Sequence, residues 1–497
     1  MFFFPSFDLL SGSLQPPSAA IILCVETNKY HSLYDVICRQ VLKCLGEDTR
    51  REGILKTPSR YRKALAQMLS GYAKTAQNVL GDAIFNEETL AGNRQTVCVG
   101  NIEFYSTDAH TLMPFFGEVH ICYLPDEGKV AGLSKFARIT EVFSKRLQTP
   151  KNLARDIASS IETLVSPVGV LVVIKCVYLN NAICAMHKSG SGIPGDDVVM
   201  TEVEQRGLFL DQKCKETREM LGLIGLSDLT TDCSSKGEER ERNGNTNDMK
   251  SSGSPSTSLA HCFDGYFDEL LSTGRQFNTE RENTIKNLIF QIYTQAPYLA
   301  HLNGSSVVSR DMLWNASSFY ANWLLKMTSG SFFSLEHLMQ VVRSDQQQHA
   351  YDDGDDSSMF RKYRNNSYYV CELYSSVGSI CEHHILPFFG KVYISLLGKK
   401  REVDVTMREL QAITWKYSRQ LQLQERLVSQ IADALEKHFP SIDGVFVCMS
   451  GYHHCMRARG AEKTSAKTLS FVTRGFYQED EFASMECIKR FRSMADS

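Results

Sequence analysis

The chain has 497 residues, 43% hydrophobic and 22% charged, a make-up that suits soluble globular protein with room for at least two buried cores. A formal net charge of -3 and a pI near 6.5 give no general field for drawing nucleic acid or an anionic membrane, so any polyanion must be met by a local cluster of cations. Fifteen cysteines stand singly without a CxxC pair, which fits reduced thiols better than a secreted disulfide scaffold.

Residues 1–29 form a tail that is apolar in patches, interrupted by Pro16 and Pro17, with no Lys or Arg before Lys29. Signal and transit peptides need early positive charge, and no later stretch reaches eighteen apolar residues, so a cytoplasmic protein without a membrane span is expected. Residues 30–226 make a first unit. Residues 56–71 (KTPSRYRKALAQMLSG) open on a Thr-Pro start signal and keep apolar residues at helical spacing. Residues 116–123 alternate like a strand, with PFFG before them as turn chemistry. A helix over 133–147 and a buried strand over 170–178 complete the unit.

Residues 227–258 are polar and charged, and they read as a linker that cannot bury enough surface to order itself. The second unit, 259–497, repeats the plan. A weaker helical region covers 313–330, a long surface loop 344–358, a strand 389–396, one long helix 407–438 and a buried strand 445–455. Helices grouped apart from antiparallel strands imply an α+β fold for each unit.

The two units are related. LMPFFGEVHICY and ILPFFGKVYISL place Pro114 and Pro387 273 residues apart; SKRLQ and SRQLQ end at Gln148 and Gln422, 274 apart; GVLVVI and GVFVCM begin at Gly169 and Gly444, 275 apart. Three anchors at nearly constant offset indicate a duplicated domain.

The chemistry gathers in the second unit. In SICEHHILPFFG, Cys381 and His384 are three apart, so a tight turn can aim both at one metal while His383 points at whatever the metal holds. His453 and Cys455 follow the strand GVFVCM, and residues two apart on a strand face one side. Two cysteines and one histidine leave the fourth zinc position for water, as a catalytic site requires. His453 either fills that position or works as an acid or base beside it.

CEHH, LPFFGKV, LQxQERL and HxCMxxRG in this order resemble GTP cyclohydrolase I, over most of both units. The resemblance implies two tandem tunnelling-fold units, each an antiparallel sheet with layered helices, assembling into oligomers with sites at interfaces. It implies zinc (Zn2+) on Cys381, His384 and Cys455, acid–base work by His383 and His453, guanine recognition by Gln424 and Glu425, and substrate binding by Arg459. A carboxylate accepts from the N1–H and N2 amino edge, which selects guanine over adenine. The implied reaction converts GTP to 7,8-dihydroneopterin triphosphate and formate, opening folate and pterin biosynthesis; a catalytically silent zinc- and purine- or pterin-binding regulatory protein is the alternative.

The second unit departs from the family where the triphosphate is held. Thr406, Met407, Arg408 and Glu409 stand for GLSK, Ala412 for the following arginine, and 315–318 (Asn-Ala-Ser-Ser) for TPxR. Glu409 is expected to repel phosphate. The first unit complements it: Ser134, Lys135, Arg138 and Arg60 are present, and Ser134 is read as capping a helix that aims Lys135 and Arg138 at an anion. Its metal positions hold Asp108, Ala109, His110 and Thr111, with Tyr178 and Asn180 for the strand His and Cys. Such sorting is similar to the bimodular plant form, in which a working site needs both kinds of unit.

Overall fold

Two sheets of one design carry the chain, and their strands form where the sequence alternates or runs apolar. The computed structural model describes residues 28–81, 83–86, 95–178, 199–211, 213–226, 279–294, 308–348, 360–363, 368–399, 405–458 and 466–495. Residues 1–27, the linker expected over 227–258, Asn180 and Arg459 lie outside them.

The first unit opens with α1 (Asn28–Cys44) and α2 (Thr57–Met68). Pro58 sits in the first turn of α2, where a missing N–H costs no helical hydrogen bond. Strands β1 (Val97–Asp108) and β2 (Pro114–Leu124) pair, α3 (Leu133–Ser144) leads to the two-residue β3 (Leu147–Gln148), and α4 (Pro150–Val165) returns to β4 (Gly169–Tyr178) and β5 (Val199–Gly207). The sheet order is β3-β1-β2-β4-β5, antiparallel except for the β3–β1 pair. Helix α4 starts at a Thr149 cap and buries Leu153, Ala154, Ile157, Ile161 and Val165, the three-and-four spacing of one apolar stripe.

The second unit comprises α5 (Thr279–Thr294), α6 (Arg310–Met327), α7 (Leu335–Gln348), β6 (Tyr368–Cys381), β7 (Leu386–Lys399), α8 (Met407–Ser418), β8 (Leu421–Gln422), α9 (Gln424–His438), β9 (Ile442–His453), β10 (Thr468–Gly475) and α10 (Glu481–Ala495). Its order, β8-β6-β7-β9-β10, repeats that of the first sheet, with Phe360–Tyr363 added as a sixth strand against the start of β6. Register carries the repeat into three dimensions: Phe115 lies opposite Tyr178, and Phe388 opposite His453.

Five expectations change. The helix expected over 133–147 ends at Ser144, and Leu147, in β3, pairs with Thr107 of β1. PFFG is strand, not turn, in both units; Gly117 and Gly390 lie where a Cβ would collide with the carbonyl of Lys175 or Ser450 on the neighbouring strand. The helix expected over 407–438 is two helices, because Leu421 and Gln422 leave the helical path to pair with Ile380 and Cys381. Periodicity alone bridges so short a break. Residues 344–348 belong to α7 rather than to a loop, since the apolar face begun at Leu335 and Leu338 carries the helix onward. The last strand stops at His453, and Cys455 belongs to a single helical turn, His454–Arg457.

The units share cores. Leu42 and Tyr61 of α1 and α2 join Leu288, Tyr293 and Tyr320 of α5 and α6 in one buried cluster. Ala64, Met68 and Tyr105 join Cys381, Phe388 and Cys455 in another.

Candidate metal centre and substrate site

The metal corner is made by a strained turn. Strand β6 ends at Cys381, residues 382–385 turn, and β7 begins with Leu386 opposite Cys381. Ile385 has a φ of 51°, a left-handed conformation that a β-branched residue adopts only when its surroundings enforce it. Its N–H donates to the Cys381 carbonyl (2.9 Å) and its own carbonyl accepts from the Tyr320 hydroxyl (2.9 Å). Leu112, with φ 59°, takes the same place in the first unit. The turn is therefore kept in both units and only its side chains differ.

The side chains around this turn converge. The Cys455 and Cys381 sulfurs are 3.9 Å apart, and His384 Nδ1 is 3.9 Å from Cys381 Sγ. Ligand atoms of Cys381, His453 and Cys455 all lie within 4.8 Å of one another. Two thiolates on a tetrahedral zinc, at about 2.3 Å each, stand about 3.8 Å apart, so the cysteine pair fits that ion without rearrangement. The Cys381 thiol is held well below its ordinary pKa by the hydrogen bond from Cys455, then by His384, His453 and the His383 backbone, against its burial. A thiol so disposed is a metal ligand in waiting.

His453 is fixed from two sides. Its ring stacks on Phe388 (centroids 4.7 Å, 8° between planes), and its Nε2 lies 2.9 Å from Gln424 Oε1. The buried amide of Gln424 donates to the Met449 and Thr468 carbonyls at 3.0 and 2.9 Å, so this residue at the start of α9 is anchored in the sheet while Glu425 beside it is exposed. His454, between His453 and Cys455, turns the other way into a cage of Tyr105, Phe116 and Phe389 rings and is buried.

His383 is half-buried next to residues of the first unit. Burial pushes its imidazole below the usual value, and the positive charge of Arg60 on α2 acts in the same direction. Arg60 lies one turn beyond Thr57, whose hydroxyl donates to the Glu382 carbonyl (2.7 Å). Glu382 itself, 1% exposed, accepts from Arg51 (2.6 Å) and pairs with Arg426 of α9 (2.7 Å). Glu382 and Arg426 fall inside the CEHH and LQxQERL motifs, but nothing local shows that they pair with each other or with the distant Arg51.

In the first unit Asp108 stands where Cys381 does, and its Oδ1 accepts from the Thr111 hydroxyl (2.7 Å) and the His110 N–H (3.1 Å), tying the turn to itself. Ser134 does not cap α3. The short ribbon of Ile84–Asn86 with Lys129–Ala131 ends one residue earlier, so Gly132 takes the cap position and Ser134 lies inside the first turn. Ser134 and Arg138 are exposed, and Lys135 Nζ donates to the Val79 carbonyl (2.9 Å). Glu409 is buried, completes a capping box with Thr406 and pairs with Arg343 (2.7 Å); its charge is thus compensated within the fold.

A family model described as GTP cyclohydrolase I matches residues 35–222 and 334–492. The chain is 28% identical over 470 residues to a GTP cyclohydrolase 1 of Solanum lycopersicum, covering 92% of this chain and 91% of that one. For a GTP cyclohydrolase 1 of Arabidopsis thaliana the figures are 27% over 475 residues, 93% and 91%. A GTP cyclohydrolase 1 of Methylococcus capsulatus is 40% identical over 195 residues, which are 98% of its length and 39% of this chain, the span of one unit.

Proposed function

Because the chain belongs to the GTP cyclohydrolase I family, we propose that it uses zinc to hydrolyse GTP to 7,8-dihydroneopterin triphosphate and formate, at sites that draw residues from both of its units. The observation that carries this reading is the pair of thiols, Cys381 and Cys455, set at zinc spacing with His384 and His453 beside them.

Cys381, Cys455 and His384 hold the metal, which supplies Lewis acidity and a water made nucleophilic near neutral pH. His453, oriented by Gln424 and Phe388, carries a proton to the purine ring nitrogen as the bond to C8 opens, and His383 assists. Exposed Glu425 accepts from the guanine edge, with Gln424 as the wall behind it. Arg60, Lys135, Arg138 and Arg459 bind the triphosphate, and Ser134 with Lys135 handles the ribose as it rearranges.

The units divide as residues 30–226 for phosphate and ribose and 259–497 for metal, base and proton transfer, joined by a linker over 227–258. A homo-oligomer with interfaces between unlike units follows from that division, and no helix among the described residues is long and apolar enough to cross a membrane. The deciding experiment measures formate and pterin formed from GTP by the purified full-length chain, with zinc quantified on the same sample. Stoichiometric zinc, turnover abolished by a chelator and restored by zinc are expected; turnover without zinc, or neither product, refutes the reading.

A further inference from the structure

Glu382 is an expensive residue to keep. A carboxylate that is 1% exposed has lost its hydration, and it is tolerated only with strong partners. Its Oε2 has two, Arg51 (2.6 Å) from the segment before α2 and Arg426 (2.7 Å) from the first turn of α9. Its Oε1 is buried without a hydrogen bond and faces His383 Nε2 at 3.9 Å. Gly53 packs so closely that a Cβ there would collide with Oε1.

The geometry points to Glu382 as a positioning residue that clamps the first unit's arm, residues 51–60, onto the metal turn of the second unit, setting Arg60 and His383 together. The carboxylate joins three pieces. Arg51 and Thr57 bring the arm, with Arg60 one turn beyond Thr57. Arg426 brings α9, and it is fixed in turn by the Gln422 side chain (2.8 Å) and the Leu421 carbonyl (2.6 Å). The turn contributes His383, the residue after Glu382, whose Nε2 lies 3.9 Å from Oε1.

Comparison within the chain separates a functional clamp from a merely structural one. The first unit keeps the same turn, the same left-handed residue and the same parallel two-residue strand. Yet Ala109 stands there for Glu382 and, by the Gln148–Gln422 match, Asn152 for Arg426. The fold of the corner survives without the clamp, and the clamp is absent where the metal ligands are absent.

This inference rests on the corner being the active site, so the wild-type chain must first release formate from GTP; failure there removes the functional reading and the clamp with it. Given activity, the test is carried out on full-length Gly53→Ala, Glu382→Gln and the double variant, with zinc content, unfolding midpoint, kcat and KM for GTP. Each single variant should keep its zinc while kcat/KM falls about tenfold to hundredfold, as for the loss of an outer partner of a metal site. The KM should rise through Arg60 and kcat should fall through His383, whereas Arg60→Ala should raise KM alone. The double variant should be no worse than the worse single one, because both changes act on one carboxylate. Normal kinetics in Gly53→Ala, or defects that multiply in the double variant, overturn the clamp. Should Glu382→Gln fail to fold, Arg51→Gln approaches the same carboxylate from the first unit and must show the same KM and kcat pattern.

Discussion

At the scale of single residues, the central choice is which histidine completes the metal set. His384 Nδ1 is 3.9 Å from one sulfur, while His453 is near both but is already committed through Nε2 to Gln424. A His384→Ala variant should therefore lose most of its zinc, and His453→Ala should keep zinc and lose about a hundredfold or more of turnover as an acid–base group would. Metal analysis of the two proteins decides it, and the reverse pattern would make His453 the ligand. Cys455→Ser should lose both zinc and activity while the fold persists, since the apolar cluster that joins α1 and α2 to α5 and α6 contains none of the proposed ligands. Base and phosphate reading separate in the same way. Glu425→Gln places a donor against guanine's donors, so preference for GTP over ATP should drop about tenfold or more, whereas Lys135→Ala should raise KM for GTP and spare that preference.

At the scale of elements, strands β2 and β7 depend on one glycine each. Gly390 crosses β9 so closely that a methyl group would enter the Ser450 carbonyl, and Gly117 does the same against Lys175. Gly390→Ala should lower the thermal midpoint by an amount equivalent to about 3 kcal/mol and reduce turnover, because β7 carries Phe388 under His453; an unchanged midpoint in a scanning calorimeter would contradict this. These elements also show what a reader of sequence alone sees. The repeat and the CEHH turn were legible, because side-chain type and spacing are local properties. PFFG reads as turn because Pro and Gly punctuate loops, yet here proline opens a strand and glycine admits a neighbour, a reason that exists only once two strands are packed. Alternation set His453 and Cys455 on one side for the wrong cause: a helical turn, not a continuing strand, brings the cysteine back toward Cys381. The pairing of Glu382 was invisible, since its partner Arg51 is 331 residues away.

At the scale of the whole molecule, the shared cores bear on how sites assemble. Helices of both units pack into one cluster, and Arg51, Thr57 and Arg60 of the arm reach the metal turn of their own chain. In the proposed site, Arg60 and the residues that would hold zinc thus belong to one polypeptide. Lys135 is differently placed: it lies in the first turn of the twelve-residue α3, and it is Arg146, just past the far end of that helix, whose carbonyl accepts from Ser106 near the end of β1, so about 14 Å of helix separates Lys135 from that end. Mixed expression of defective full-length chains, assayed at GTP well below KM, turns this into a measurement. Cys455→Ser together with Arg60→Ala should show no kcat/KM beyond what the Arg60→Ala chain contributes by itself, since every site then carries one defect or the other whatever the mixing. Cys455→Ser together with Lys135→Ala tests the other contact. If Lys135 serves a neighbour's metal corner, random assortment leaves about a quarter of the sites whole, and activity should recover to about that fraction. Recovery in the first pair would break the in-chain arm contact and require Arg60 to act across chains. The second pair, read on the same preparation, then separates a site closed within one chain from one completed by the next.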